Sequence, residues 1–156
     1  MKQSAVVNPA SMKGYYDAFH FAAAARSADL LLCSGQLGTG DDGAVLEDPE
    51  AQFVAAFEHL GTVLAEAGLD FDDVLEITTY HVGLRDHLAT FMSVKDRFMP
   101  APYSAWTAIG VSQLALPGAL VEIRATAQLR APAARARLAS RKARPKKQRK
   151  TAAPRK

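Results

Sequence analysis

Residues 73–100 read DVLEITTYHVGLRDHLATFMSVKDRFMP. The first twelve (73–84) are rich in β-branched residues, which predicts a strand. The pattern then changes period. Asp86 is placed to cap a helix running to about Met99, where Pro100 and Pro102 end it. Two more strands follow in YSAWTAIGV (103–111) and ALVEIRATAQL (119–129), separated by Pro117-Gly118. A strand leading into a helix and then a strand pair calls for a sheet with a helix laid across it.

Upstream, ADLLLCSGQ (28–36) is a short apolar run closed by Ser-Gly and reads as a buried strand. FHFAAAA (19–25) suits a strand or a short helix. GTGDDGAVLED (38–48) is turn chemistry around a short strand expected at Ala44–Leu46. Asp48-Pro49 then opens a helix, an N-cap acid with proline in the first turn. Phe53, Phe57, Leu60 and Leu64 form one apolar stripe on it, and Gly68 is the expected stop. The order is β-β-(β)-α-β-α-β-β, which predicts an α+β fold with both helices on one face of the sheet.

The chain has 156 residues, 49% of them apolar, which suits one domain with an ordinary core. There is no apolar run of membrane-spanning length, and MKQSAVVNPASMKGYYDAFHF lacks the apolar segment of a secretory signal. A single cysteine, Cys33, permits no internal disulfide and points to a cytoplasmic location. The net charge of +3 conceals a division at residue 130. Residues 131–156 carry 11 basic and no acidic side chains, leaving eight basic against sixteen acidic residues, a net of −8, in residues 1–130. The expected organisation is a domain over 1–130 and a basic, disordered Ala/Pro/Lys/Arg tail over 131–156.

Three residues stand out against their surroundings. Lys95 interrupts an apolar stripe of Leu88, Phe91, Met92, Phe98 and Met99. It is either a snorkelling stem or a cation aimed into a cleft. Glu122 and Arg124 share the polar side of the last strand, opposite Val121, Ile123, Ala125 and Ala127. They are either a solvated ion pair or a carboxylate set to orient water. Trp106, the one tryptophan, shares a face with Ser104, Ala108 and Gly110, which suits a core socket or a ligand platform. The four histidines form no metal-ligand pair, and no Ser/His/Asp array or phosphate-binding glycine loop is present.

Together DLLLCSGQLG (29–38), AGLDFDDVLEITTYHVGLRD (67–86), FMSVKDRF (91–98) and TAIGVSQLALPGALVEIRATA (107–127) resemble the YjgF/RidA family of reactive-intermediate deaminases, over about residues 19–130. The resemblance implies a chorismate-mutase-like subunit in a barrel-like homotrimer, with clefts between subunits. There, small reactive imines and enamines would be hydrolysed to a keto acid and ammonia, without a metal or organic cofactor. It implies that Glu122 holds or activates the water and that Ser34 and Gly35 line the cleft. Family deaminases carry an arginine that grips the substrate carboxylate; the matching position here is Trp106, followed by Thr107. A usual tyrosine is Phe21, and a usual helix asparagine is Lys95. The substrate-binding set is thus Phe21, Ser34, Gly35, Lys95, Trp106 and Thr107, with an altered preference toward an aromatic, less anionic ligand. The alternative is a non-catalytic trimer that binds a small ligand. Some family members are linked to RNA cleavage, though no histidine pair here supports it. The tail resembles basic arms that bind nucleic acid weakly through phosphates.

Overall fold

The computed structural model describes residues 5–130. The tail, with the disorder and nucleic-acid contacts expected of it, lies outside the described residues. Six strands form one mixed sheet: β1 (Val6–Val7), β2 (Ala24–Ser27), β3 (Leu30–Leu37), β4 (Val74–His81), β5 (Ala105–Gly110) and β6 (Val121–Gln128). Their order is β1-β2-β3-β6-β4-β5. Only β4 and β5 run parallel, joined through a helical crossover, and every other pair is antiparallel. The helices are α1 (Lys13–Phe19), α2 (Pro49–Glu66) and α3 (Leu84–Phe98). This is the α+β arrangement expected from the sequence.

Helix α2 begins as anticipated, with the Asp48 carboxylate accepting from Ala51 N–H at 2.8 Å and Pro49 in the first turn. Gly68 follows its end at φ 76°, a left-handed conformation that glycine adopts without steric cost. Phe53, Phe57, Leu60, Val63 and Leu64 are fully buried against the sheet. Leu31, Ile77, Val121, Ile123 and Ala125 supply the opposing surface. Phe57 stacks on Phe98 at 5.0 Å and on Phe91 at 5.7 Å, which ties α2 to α3. Each fully buried large apolar side chain contributes about 1.5–3 kcal/mol, so this layer dominates stability.

Four local expectations change. Helix α3 starts at Leu84, with Gly83 at φ 67° as its N-cap, and Asp86 lies inside the first turn. A glycine in that conformation turns the chain from strand to helix sooner than a side-chain cap would. On α3, Met92 faces solvent while Val94 is fully buried, so Phe91, Val94, Lys95 and Phe98 form the inner face. Ala44–Leu46 is not a strand but contributes a single bridge, Thr39 to Val45. Within 19–25 the chain divides: Phe19 ends α1, His20 turns at φ 59°, and β2 begins at Ala24. The seven-residue α1 buries none of its side chains, so it offered no periodic signal to read.

Candidate active site

Strand β3 carries a bulge that builds one wall of the site. Cys33 pairs with Ala125 and Gln36 with Ile123, so Ser34 and Gly35 together face one residue, Arg124. Ser34 is held by its hydroxyl donating to Ala22 O at 2.7 Å and by its N–H donating to Ala23 O at 2.9 Å. Gly35 is needed for space. A Cβ there would overlap Glu122 Oε1 and lie 2.7 Å from Glu122 Cγ. The Glu122 side chain thus leans from β6 across the bulge and rests on the Gly35 backbone.

Alternation on β6 places Val121, Ile123, Ala125 and Ala127 in the core and turns Glu122 and Arg124 to the opposite, helix-free face. Tyr80 on β4 pairs with Glu122 and joins that face. Ser34, Gly35, Tyr80, Glu122 and Arg124 line one cavity of about 540 Å³, with Ala22 and Leu32 at its apolar side. Tyr80 and Glu122 also line an adjoining one of about 440 Å³, bounded by Val111 to Ala115. Glu122 thus stands between two open spaces. Its carboxylate has no hydrogen-bond or ion-pair partner among the described residues, and burial raises its pKa above the usual value for glutamate. The Cys33 side chain belongs to the core on the other side of the sheet, and burial pushes its thiol up to about 12, which keeps it protonated and unreactive.

Trp106 and Lys95 lie elsewhere. Trp106 pairs with Ile77, on the side of the sheet that α3 covers. Its Nε1–H donates to Thr79 Oγ1 at 2.9 Å, and its ring lies 5.7 Å from Phe91. Within one chain it is half-buried, with its ring packed against the core rather than standing over open space. Lys95 is buried beside it. Its ammonium donates to Asp96 Oδ1 at 2.7 Å and lies 5.0 Å from the Tyr103 ring and 5.4 Å from the Trp106 ring. Behind Trp106, buried His81 contacts Thr79 Oγ1 through Nε2 at 2.8 Å and meets Phe91 edge-on. Burial, with some help from His87, lowers its pKa to about 4, so the ring is neutral at physiological pH.

Of the sequence-derived set, one chain therefore brings together Ser34, Gly35 and Glu122. It pairs Lys95 with Trp106 on the other face. Thr107 pairs with Thr78 on the exposed side, and Phe21 is 41% exposed beside cavity-lining Ala22. Of the two readings of Glu122 and Arg124, the ion pair does not form among the described residues. Tyr80 was overlooked, although alternation from buried Thr79 and His81 places it on the Glu122 face.

Residues 13–129 match the model of the endoribonuclease L-PSP family. The chain belongs to the YjgF/RidA family. It is similar to the RutC family protein YjgH of Escherichia coli (strain K12), with 39% identity over 116 residues, 74% of this chain and 88% of that one. A solved structure of protein YJGH superposes with a TM-score of 0.75 at 37% identity, covering 81% of this chain and 96% of the other. RidA from the Antarctic bacterium Psychrobacter sp. PAMC 21119 aligns with a TM-score of 0.66 at 25% identity, covering 70% and 88%. A YjgF/YER057c/UK114 member from Mycobacterium tuberculosis shares the fold at 24% identity and a TM-score of 0.68, covering 80% and 98%. The six-stranded sheet is thus the YjgF/RidA fold, and the chain falls in the RutC/YjgH group of the family. Among the described residues no three His, Cys, Asp or Glu side chains are grouped to hold a metal, and no helix is long and apolar enough to cross a membrane.

Proposed function

We propose that the protein is a small-molecule hydrolase of the RidA type, acting on an imine or enamine C–N bond in the Glu122 cavity. The observation that carries this is the Glu122 carboxyl group, poised without a partner over Gly35 between two open cavities, with a pKa raised by burial. Burial disfavours the charged form, so Glu122 holds a proton more readily than an exposed glutamate, which suits a group that both gives and takes one. In the acid form Glu122 protonates the enamine carbon and yields the iminium, the protonated imine. In the base form it takes a proton from water as the oxygen attacks the imine carbon. Glu122 then gives that proton to nitrogen, and as the C–N bond breaks it takes the hydroxyl proton, so that a carbonyl compound and ammonia leave and the acid form is restored. The imine carbon is already electrophilic, so orientation beside water supplies most of what the reaction needs.

Trp106 at the position of the family arginine supports a substrate preference different from that of the arginine-bearing deaminases. In this reading the protein works as a homotrimer. The open face of the sheet, with Leu32 and Ile109 each 39% exposed, closes against neighbouring copies, and the β5 edge brings Trp106 and Thr107 near a second chain's cavity. Ammonia release from enzymatically generated imines tests the reaction. The full-length protein should accelerate release over buffer, and Glu122→Gln should lower kcat by about 10²-fold or more, as loss of a general acid–base does. No acceleration by either protein would reject hydrolysis.

The second reading is a ligand-binding trimer without catalysis. The indole N–H engaged by Thr79 and the ring packed on Phe91 favour it, since both make Trp106 a fixed wall. Ligand-dependent Trp106 emission with no product formation would decide for it.

A further inference from the structure

We propose that Arg124 is the anion-holding residue of the Glu122 cavity, and that the cavity binds a small carboxylic acid with its carboxylate on the guanidinium. For catalysis the inference rests on the hydrolytic reading above; for binding it stands alone. Glu122 and Arg124 project from β6 to the same face, two residues or about 6.6 Å apart along the strand. They line the same cavity, and Arg124 is the one basic residue among those lining it.

Within one chain Arg124 makes no hydrogen bond or ion pair among the described residues, so no side chain of its own subunit occupies its forked donors. By contrast, Arg130 is engaged by Asp70 and Asp73, and Arg97 by Glu50. The nearest carboxylate along the strand, Glu122, rests on Gly35 and forms no ion pair with Arg124 among the described residues. An incoming carboxylate can therefore occupy the guanidinium without displacing an internal partner. The bulge places Ser34 and Gly35 opposite Arg124, so a ligand held there lies against both the bulge and Glu122. Lys95 cannot serve in this chain's cavity, because its ammonium is on the other face with Asp96 and two aromatic rings. A planar guanidinium also matches a carboxylate bidentately, as an ammonium does not. The cation that the family places on β5 is thus supplied from β6. This reverses the expectation of a less anionic ligand.

The probe pair is 2-oxobutanoate and its uncharged amide, titrated into the full-length protein by calorimetry. The wild type should prefer the acid by about tenfold or more, the value of one charge-assisted contact. Arg124→Gln should abolish that preference by weakening acid binding alone, and Arg124→Lys should keep part of it. Glu122→Gln and Lys95→Gln should retain it. Melting temperature and oligomeric mass confirm that each variant is folded and assembled. An equal acid-to-amide ratio in wild type and Arg124→Gln overturns the assignment, as does no acid binding by wild type at millimolar concentration. Loss of hydrolysis with the preference intact would reject the reaction and support Arg124. Hydrolysis with an unchanged KM for acidic substrates in Arg124→Gln would keep the reaction and reject Arg124.

Discussion

Glycine is required at two neighbouring positions for different reasons, and the difference is measurable. At Gly35 the added methyl would meet the end of the Glu122 side chain, which can swing away. At Gly38 it would overlap the Gln52 backbone carbonyl, with the Gln52 side chain also close. Gly35→Ala should therefore cost no more than about 1.5 kcal/mol in urea unfolding while displacing Glu122 and lowering ammonia release. Gly38→Ala should cost about 3 kcal/mol or more, because α2 itself must shift. Glu122 carries its own stability signature. A carboxyl whose folded pKa is raised costs stability when ionised, that is, above that pKa. Glu122→Gln should thus be more stable than wild type at pH 7. The gain should shrink as pH falls through the folded pKa and vanish below the ordinary glutamate value. Urea midpoints of the two proteins across pH 4–8 check this. The family resemblance grouped Glu122, Ser34 and Gly35, and all three line one cavity, but neither it nor the strand pattern could show Glu122 bent over the bulge without an ion pair to Arg124.

Between elements, the seam of β4, β5 and α3 is held by polar contacts inside an apolar setting. Thr79 receives the Trp106 indole N–H and meets His81, while Phe91 packs on both rings. His81 is neutral there, with its pKa lowered to about 4. The unfolded chain binds a proton at His81 from about pH 6.5 downward and the folded chain does not, so stability falls as pH drops toward 4. Replacing His81 with Gln removes this group from the titration. The unfolding midpoint of the wild type should fall more steeply between pH 6.5 and 4.5 than that of His81→Gln, and equal slopes would show that His81 is not the source. The elements themselves were largely legible: the Asp48-Pro49 start, the α2 stripe and strands β3 to β6 all follow local rules. Helix α1 and strand β1 were not, because one buries no residue and the other spans two.

At the scale of the molecule, charge is the organising asymmetry. Removing residues 131–156 takes away 11 basic side chains and turns a net +3 chain into one of −8. If the tail contacts nucleic acid, retention of the full chain on single-stranded DNA should fall steeply with salt, as counterion release requires. The chain truncated after Arg130 should not be retained at any salt. Equal retention of both would assign the tail a solubilising role instead. Three tails in a trimer would strengthen the interaction where one polymer reaches them all.

Composition and periodicity alone determined the α+β class, the helix stripe, the charge division at residue 130 and the polar face carrying Glu122 and Arg124. These depend on local propensity and on which side of a strand a residue falls, both of which are written in the order of residues. What only the tertiary structure decided is which of those faces meet. Strand alternation put Trp106 on one side of β5, but it could not say that α3 covers that side. Nor could it say that Lys95 folds onto the indole there, leaving the Glu122 cavity with Arg124 as its cation. That outcome depends on the crossover from β4 through α3 to β5, a contact between distant segments set by packing the shared core rather than by any local pattern.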